Sequence, residues 1–332
     1  MMKMLRQIFC AALLAVTLLA QPVSAETLRI AYTSIGIIFA PLWTTQAAGL
    51  FKKYGLDVEL LYIGGGPPSL QALLAGDVKI SFTAAGAAVA ANLAGSDVVL
   101  LGTTCDTLPF EIWAAPSIKT PEALKGTRMG VTRIGSTSDF VGRYVLKKWG
   151  LKPGADVTLV QAGAGPEVFA ALKSGAIQSG VMSVGPYTTE VEKDGFVRLA
   201  DVATIGLPYP FGPYATTRSF IRAQPDTVSR FMHAYVEGIH RFKTDRRLAL
   251  ATLEKQTRLK TTPATERTYE VYAQRYIKRV PEATNEGIQT ILEEVSASRP
   301  LPAGVTPQRF VEPRFINEVV SSGFAEGLYQ KR

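Results

Sequence analysis

Residues Asp57–Gly86 read DVELLYIGGGPPSLQALLAGDVKISFTAAG, and residues Asp156–Gly185 read DVTLVQAGAGPEVFAALKSGAIQSGVMSVG. The two stretches align without a gap at an offset of 99, with ten of thirty positions identical. The identities include Gly64/Gly163, Gly66/Gly165, Pro67/Pro166, Gly76/Gly175 and Gly86/Gly185. The same offset pairs Arg29 with Arg128, and Thr33-Ser34-Ile35-Gly36 with Thr132-Arg133-Ile134-Gly135. Lys52-Lys53-Tyr54-Gly55-Leu56 matches Lys147-Lys148-Trp149-Gly150-Leu151 at an offset of 95, and the turn Lys152-Pro153-Gly154-Ala155 absorbs the difference. Self-similarity at a fixed spacing marks a repeated structural unit. Residues 28–86 and 127–185 are therefore two copies of one unit.

Each copy has the same local pattern. Leu28–Thr33 and Arg128–Thr132 are short apolar runs of strand length. An amphipathic helix follows and closes at Gly55 or Gly150, where glycine takes the left-handed conformation at little cost. Asp57–Ile63 and Asp156–Ala162 are second strands. Helices then start at Pro67 and Pro166, a first-turn position where the missing N–H costs nothing, and end near Gly76 and Gly175. Third strands run through Val78–Phe82 and Ile177–Met182. Alternating strands and helices give a parallel sheet covered on both faces. Two such units predict an α/β chain of two similar lobes, each with a mostly parallel sheet.

Open α/β sheets bind ligands at the carboxyl ends of their strands. Six loops take that position here: 33–37, 63–67 and 83–87 in one copy, 132–138, 162–166 and 182–186 in the other. They consist almost wholly of Gly, Ala, Ser, Thr and Pro. Small residues let backbone N–H groups and helix N-termini approach a ligand, which favours anionic or acceptor-rich groups. Asp97–Thr103 and Pro109–Ala115 are further strand candidates. Stretches near 110–116 and 211–217 are the expected crossings between lobes. From Pro225 onward helical spacing dominates, over 225–256, 263–278, 284–297 and 307–322.

The N-terminus carries Lys3 and Arg6, then the apolar run Ile8–Ala20, then Val23-Ser24-Ala25 before Glu26. That order is the grammar of a cleavable secretory signal, and the run falls short of the ~20 residues that span a bilayer. The expectation is export with cleavage before Glu26, residues 1–25 being the signal. The remainder carries 34 basic and 28 acidic residues, a net charge of +6. These charges are scattered without a basic cluster interleaved with aromatics, so nucleic acid is not an expected partner. Only Cys105 remains after residue 25. A disulfide within the chain is then impossible, and the fold must rest on its core.

Several motifs fail as chemistry. Gly163-Ala164-Gly165-Pro166-Glu167-Val168 imitates a dinucleotide fingerprint, but its last position is Val and Pro166 removes an N–H. Gly64-Gly65-Gly66-Pro67-Pro68-Ser69 resembles a phosphate loop without the lysine. His233 and His240 stand seven apart, not the four that places two ligands on one helix face. Neither cofactor nor metal is expected. Cys105 is the one possible nucleophile, and the adjacent Asp106 disfavours its thiolate.

Ala40-Pro41-Leu42-Trp43, followed by Ala47-Ala48-Gly49-Leu50-Phe51-Lys52-Lys53-Tyr54-Gly55-Leu56-Asp57-Val58, resembles the opening signature of the nitrate, sulfonate and taurine class of periplasmic substrate-binding proteins. That class includes proteins similar to the binders of thiamine-pyrimidine precursors. Leu124-Lys125-Gly126, the loop Gly135-Ser136-Thr137-Ser138, and Pro225-Asp226-Thr227-Val228 through Phe242-Lys243-Thr244-Asp245 fit it as well. The resemblance implies a bilobed clamp of the type II, Venus-flytrap kind. It implies residues 26–112 in one lobe, 113–213 in the other, and 214–332 returning to the first with C-terminal helices. It further implies a periplasmic monomer that delivers a small molecule to an ABC permease and its ATPase. By the same resemblance Ser34, Ile35, Thr83, Ala84, Gly135, Ser136, Thr137, Ser183 and Gly185 would line the cleft, with Gly65 on the second loop. The cysteine-rich motif of the pyrimidine-synthesising relatives is absent. A pyrimidine-precursor binder, a receptor-coupled sensor, and a desulfinase-like enzyme using Cys105 are the alternatives.

Arg133 is the only charged side chain in the six loops, and its equivalent in the first copy is Ser34. A guanidinium grips a carboxylate or sulfonate through two parallel hydrogen bonds, so an anionic ligand held by Arg133 is one expectation. The other is that Arg133 pairs with Asp139 or Glu190 and braces its loop.

Overall fold

The structure, a computed structural model, describes residues 27–163, 165–296 and 300–330. The expected export signal, residues 1–25, lies outside the described residues. Among the described residues ten strands run in chain order: β1 Leu28–Tyr32, β2 Val58–Tyr62, β3 Ile80–Phe82, β4 Val98–Cys105, β5 Phe110–Ala114, β6 Thr127–Val131, β7 Val157–Gln161, β8 Ser179–Ser183, β9 Val197–Asp201 and β10 Phe211–Thr217. They form two five-stranded sheets, ordered β2-β1-β3-β10-β4 and β7-β6-β8-β5-β9.

The offset of 99 is written into the strand register. Leu28 faces Val58 in the first sheet, and Thr127 faces Val157 in the second. Ile30 faces Ile80, and Met129 faces Ser179. The helices Gly66–Ala75 and Gly165–Lys173 start at equivalent positions. Their first residue is the glycine before the proline, one position earlier than expected. Gly55, Gly76, Gly150 and Gly175 take the left-handed conformation expected of residues that close helices. The offset extends further, since β4 and β9 begin at Val98 and Val197.

The fourth place in each sheet is filled by a strand that follows the other sheet's edge strand. β10 runs antiparallel to β3 and β4, and β5 runs antiparallel to β8 and β9. The chain thus passes between sheets through residues 106–109 and 202–210, and the two passages meet where Tyr209 N–H donates to the Asp106 carbonyl at 2.9 Å. This corrects the expected crossings at 110–116 and 211–217 and the boundaries after 112 and 213, which fall inside β5 and β10. The reason is burial. Every residue of β5 and nearly every residue of β10 is buried, and such a strand needs a neighbour on each side, which a connector lacks.

The C-terminal region packs mainly on the first lobe. Helix Pro225–Thr244 lies against Ala40–Ala47, with Gly238 directly over Thr45. The helical pattern expected over 225–256 breaks at Asp245, whose side chain accepts from Leu248 N–H and starts a new helix. The C-terminal region also reaches the second lobe: Tyr272 donates its hydroxyl to the Val184 carbonyl at 2.9 Å, and Lys147 pairs with Glu294 at 3.1 Å. Among the described residues no helix is long and apolar enough to cross a membrane.

Candidate ligand-binding site

The carboxyl ends of β1, β3, β6 and β8 converge on one cavity of about 90 Å³ between the lobes. Lobe one supplies Thr33, Ser34, Ile35, Gly65, Gly66, Thr83 and Ala84. Lobe two supplies Thr132, Ser136, Thr137, Ser138, Gly165, Ser183, Gly185 and Tyr187. Phe110 and Phe211, from β5 and β10, meet edge to face at 4.9 Å on the apolar side. No Asp, Glu, Lys, Arg or His is among the described lining residues.

Helices point their N-termini at this space. They begin at Gly66, Ala85, Thr137, Gly165 and Pro186. Each N-terminus presents N–H groups without intrahelical acceptors and a partial positive charge. The hydroxyls between them are held in place. Thr83 Oγ1 donates to the Gly66 carbonyl at 2.8 Å. Ser138 Oγ accepts from Thr132 N–H at 2.8 Å and lies 3.0 Å from Ser136 Oγ. Tyr209, fully buried beneath the cavity, sets its phenol between the Thr137 hydroxyl and Gly86 N–H, and burial pushes its pKa up.

Of the residues singled out from sequence, Ser34, Ile35, Gly65, Thr83, Ala84, Ser136, Thr137, Ser183 and Gly185 lie on the cavity wall. Gly135 and Arg133 do not. Gly135 N–H donates to Asp139 at 2.9 Å, and its α-carbon faces Pro67 of the other lobe. Arg133 is exposed, and its Nε donates to the Gly64 carbonyl of the first lobe at 2.7 Å. It pairs with neither expected acid: Asp139 is held by Arg143 and Glu190 by Lys193. Thr132 and Ser138, within the loop 132–138, were not singled out from sequence; the helix start there is marked by Ser136, whose side chain accepts from Asp139 N–H. Phe110 and Phe211 carried no local signal, because they reach the site only through the exchange of strands.

Cys105 lies off the cavity. Its Sγ donates to the Thr107 carbonyl at 3.3 Å, and burial raises its pKa to about 12. At pH 8 such a thiol is about one part in ten thousand thiolate. Iodoacetamide is therefore expected to leave the folded protein unmodified over an hour at pH 8 and to alkylate Cys105 rapidly in guanidinium. Rapid native labelling, read by mass spectrometry, would contradict this burial. Among the described residues no group of three or more His, Cys, Asp or Glu side chains is placed to hold a metal.

Most of the chain superposes on solved structures, some of them named as binding proteins. A protein from Bordetella bronchiseptica RB50 superposes with a TM-score of 0.76 at 22% identity, over 89% of this chain and 97% of that one. The alkanesulfonate-binding protein SsuA from Xanthomonas axonopodis pv. citri, solved with MOPS bound, superposes with a TM-score of 0.71 at 21% identity, over 86% and 98%. Likeness at these identities shows the fold, that of the periplasmic binding proteins. In sequence, YtlA of Bacillus subtilis (strain 168), which carries the name of a binding protein, is 26% identical over 213 residues. The match covers 62% of this chain and 63% of that relative, less than two thirds of its length. The family model described as NMT1/THI5 like matches residues 37–245, from the first helix after β1 through the end of the long helix Pro225–Thr244, and the chain belongs to that family.

Proposed function

We propose that this protein is the solute-binding component of an ABC-type uptake system, exported to the periplasm, which captures a small anionic molecule between its lobes and delivers it to a membrane permease with its ATPase. The observation that carries the proposal is the cavity wall itself. Hydroxyls and helix N-termini from both lobes surround one small space, and a ligand touching both lobes is what favours closing a hinged clamp. The bound sulfonate in the SsuA relative agrees with this chemistry.

Size and charge narrow the ligand. A water needs roughly 10–15 Å³ of such space, so about 90 Å³ takes a molecule of only a few non-hydrogen atoms. Negative charge would be met by helix N-termini, each equivalent to roughly half an elementary charge, and by hydroxyl donors, without a cation on the wall. Phe110 and Phe211 suit a short apolar end. A small sulfonate, nitrate or a short carboxylate fits these conditions. Cys105, off the cavity and with its pKa at about 12, supports binding over thiol-based turnover.

A thermal-shift series with methanesulfonate, nitrate, acetate and an aminopyrimidine tests the reading. A ligand at 100 times its Kd adds roughly 2.7 kcal/mol, which raises Tm by about 5 °C in a chain of this size. At least one of the anions is expected to give that shift. Stabilisation by the neutral pyrimidine alone would transfer the proposal to the pyrimidine-precursor class.

A further inference from the structure

Arg133 stands at a boundary that the proposed function leaves unexplained. Its Nε donates to the carbonyl of Gly64 on the opposite lobe at 2.7 Å. Its aliphatic stem lies over Gly65, where an added Cβ would come 3.0 Å from Arg133 Cγ and overlap Cδ. Gly65 lines the inner cavity. On the outer side of Arg133 is a second space of about 280 Å³, lined by Tyr62, Gly64, Gln161, Gly163 and Glu167. Thr132 borders both spaces. The inner space has no charged wall residue among those described, whereas the outer one has Arg133 and Glu167. Arg133, on the wall of the outer space, thus touches Gly65, on the wall of the inner one.

We propose that Arg133 is a cross-cleft latch that partitions the cleft and sets the length of ligand the protein accepts. This deepens the binding-protein reading and rests on it for the ligand-length part. The Nε–carbonyl bond joins the lobes without touching the inner cavity, so it favours the closed clamp whatever the ligand's charge. With the latch in place a ligand must end inside the inner space. Without it the inner and outer spaces merge, and a chain can run from the hydroxyl wall past Gly65 toward Tyr62, Gln161 and Glu167. Gly65, with φ of +91°, is the residue that lets the stem lie flat, since a side chain there would collide with it.

Two measurements on the full-length mature protein test this. First, spin labels at Ala75→Cys and Ser174→Cys, exposed equivalents in the two lobes at the offset of 99, report lobe separation while buried Cys105 is spared. Arg133→Ala is expected to move the distance distribution toward longer separations, both without ligand and with saturating methanesulfonate. Unchanged distributions in both conditions overturn the latch, and this arm holds even if no anion binds. Second, titration calorimetry with methane-, butane- and octanesulfonate gives the length profile. The intact protein is expected to lose about tenfold or more in affinity from the shortest to the longest, and Arg133→Ala less than about threefold. Parallel profiles in the two proteins overturn the partition. A loss of more than about tenfold for methanesulfonate in Arg133→Ala with the spin-label distances unchanged would instead make Arg133 an anion-gripping residue and overturn the latch. Failure of every sulfonate to bind the intact protein counts against the anionic ligand class, with the latch then decided by the distance measurement.

Discussion

Gly66→Ala is expected to weaken ligand binding by about a hundredfold or more while the chain still folds. Gly66 is the first residue of helix Gly66–Ala75, and a Cβ there would sit 2.5 Å from Ala84 Cβ and 2.7 Å from Ala84 N. Ala84 caps the next helix, Ala85–Leu93, and both residues line the cavity. The Thr83 hydroxyl ties the same two loops together through the Gly66 carbonyl. The obstacle is backbone, which cannot rotate away, so the two helix N-termini must separate. Overpacking of this kind costs about 1–3 kcal/mol of stability. Binding suffers more. Each hydrogen bond to a charged group contributes about 1.5–3 kcal/mol, and misaligning two of them loses roughly two decades or more of affinity.

The repeat supplies the control. Gly165 is the equivalent of Gly66, but its Cβ would meet Tyr187 Cδ2 at 3.3 Å, a ring edge that can turn. Gly165→Ala should therefore lose less than about tenfold. Calorimetry of the two variants against the ligand found by thermal shift settles the matter. Affinity of Gly66→Ala within threefold of the parent would mean that the lobe-one helix N-termini do not hold the ligand.

This contrast also marks what the sequence could disclose. The two copies, the succession of strands and helices within each and the glycines that close their helices were legible because each depends on neighbours within one unit. Register at the offset of 99 follows from Leu28 facing Val58 and Thr127 facing Val157, pairs already aligned in the sequence. The wall residues Ser34, Thr83, Ser136 and Ser183 were legible for the same reason, since each lies at or just beyond the carboxyl end of a strand of its own unit. What two equivalent positions touch was not legible. Gly66 meets backbone where Gly165 meets a ring. Arg133 finds its acceptor in Gly64, 69 residues away on the other lobe, and a charge pattern suggests carboxylates before it suggests a carbonyl. The crossings were misplaced because β5 and β10 leave one sheet's sequence neighbourhood to complete the other. An apolar run reveals that it will be buried, not which sheet will bury it.

The largest effect on stability is expected at Gly102, far from the ligand. Gly102 lies on β4 opposite Tyr214 of β10. A Cβ there would overlap the Pro281 carbonyl oxygen and Tyr214 Oη and come 2.7 Å from Tyr214 Cζ. Tyr214 cannot yield, because it is fully buried and its ring packs against Phe82, Phe231 and Tyr235 at 5.1–5.9 Å. Pro281 cannot yield freely either. Its carbonyl accepts from Thr103 N–H and from the Tyr214 hydroxyl, each at 2.9 Å, and so fastens the C-terminal region to the first sheet. Overpacking costs about 1–3 kcal/mol, and stranding buried polar groups costs a further 1–3 kcal/mol or so each. Gly102→Ala should thus lose roughly 3–6 kcal/mol, a large share of the 5–15 kcal/mol that holds a typical protein folded. Calorimetry should show Tm lowered by about 5–10 °C. Gly327→Ala, in helix Phe324–Gln330 with no neighbour within 4 Å of the added carbon, should leave Tm unchanged or slightly raised. A Tm for Gly102→Ala within about 2 °C of the parent would mean that the Pro281 junction can shift without cost. Because Gly102 does not line the cavity, affinity measured well below its Tm should stay within about threefold of the parent. Gly66→Ala and Gly102→Ala should therefore separate the two demands on glycine in this fold, one bringing helix N-termini together around a ligand, the other letting a C-terminal carbonyl dock on the sheet.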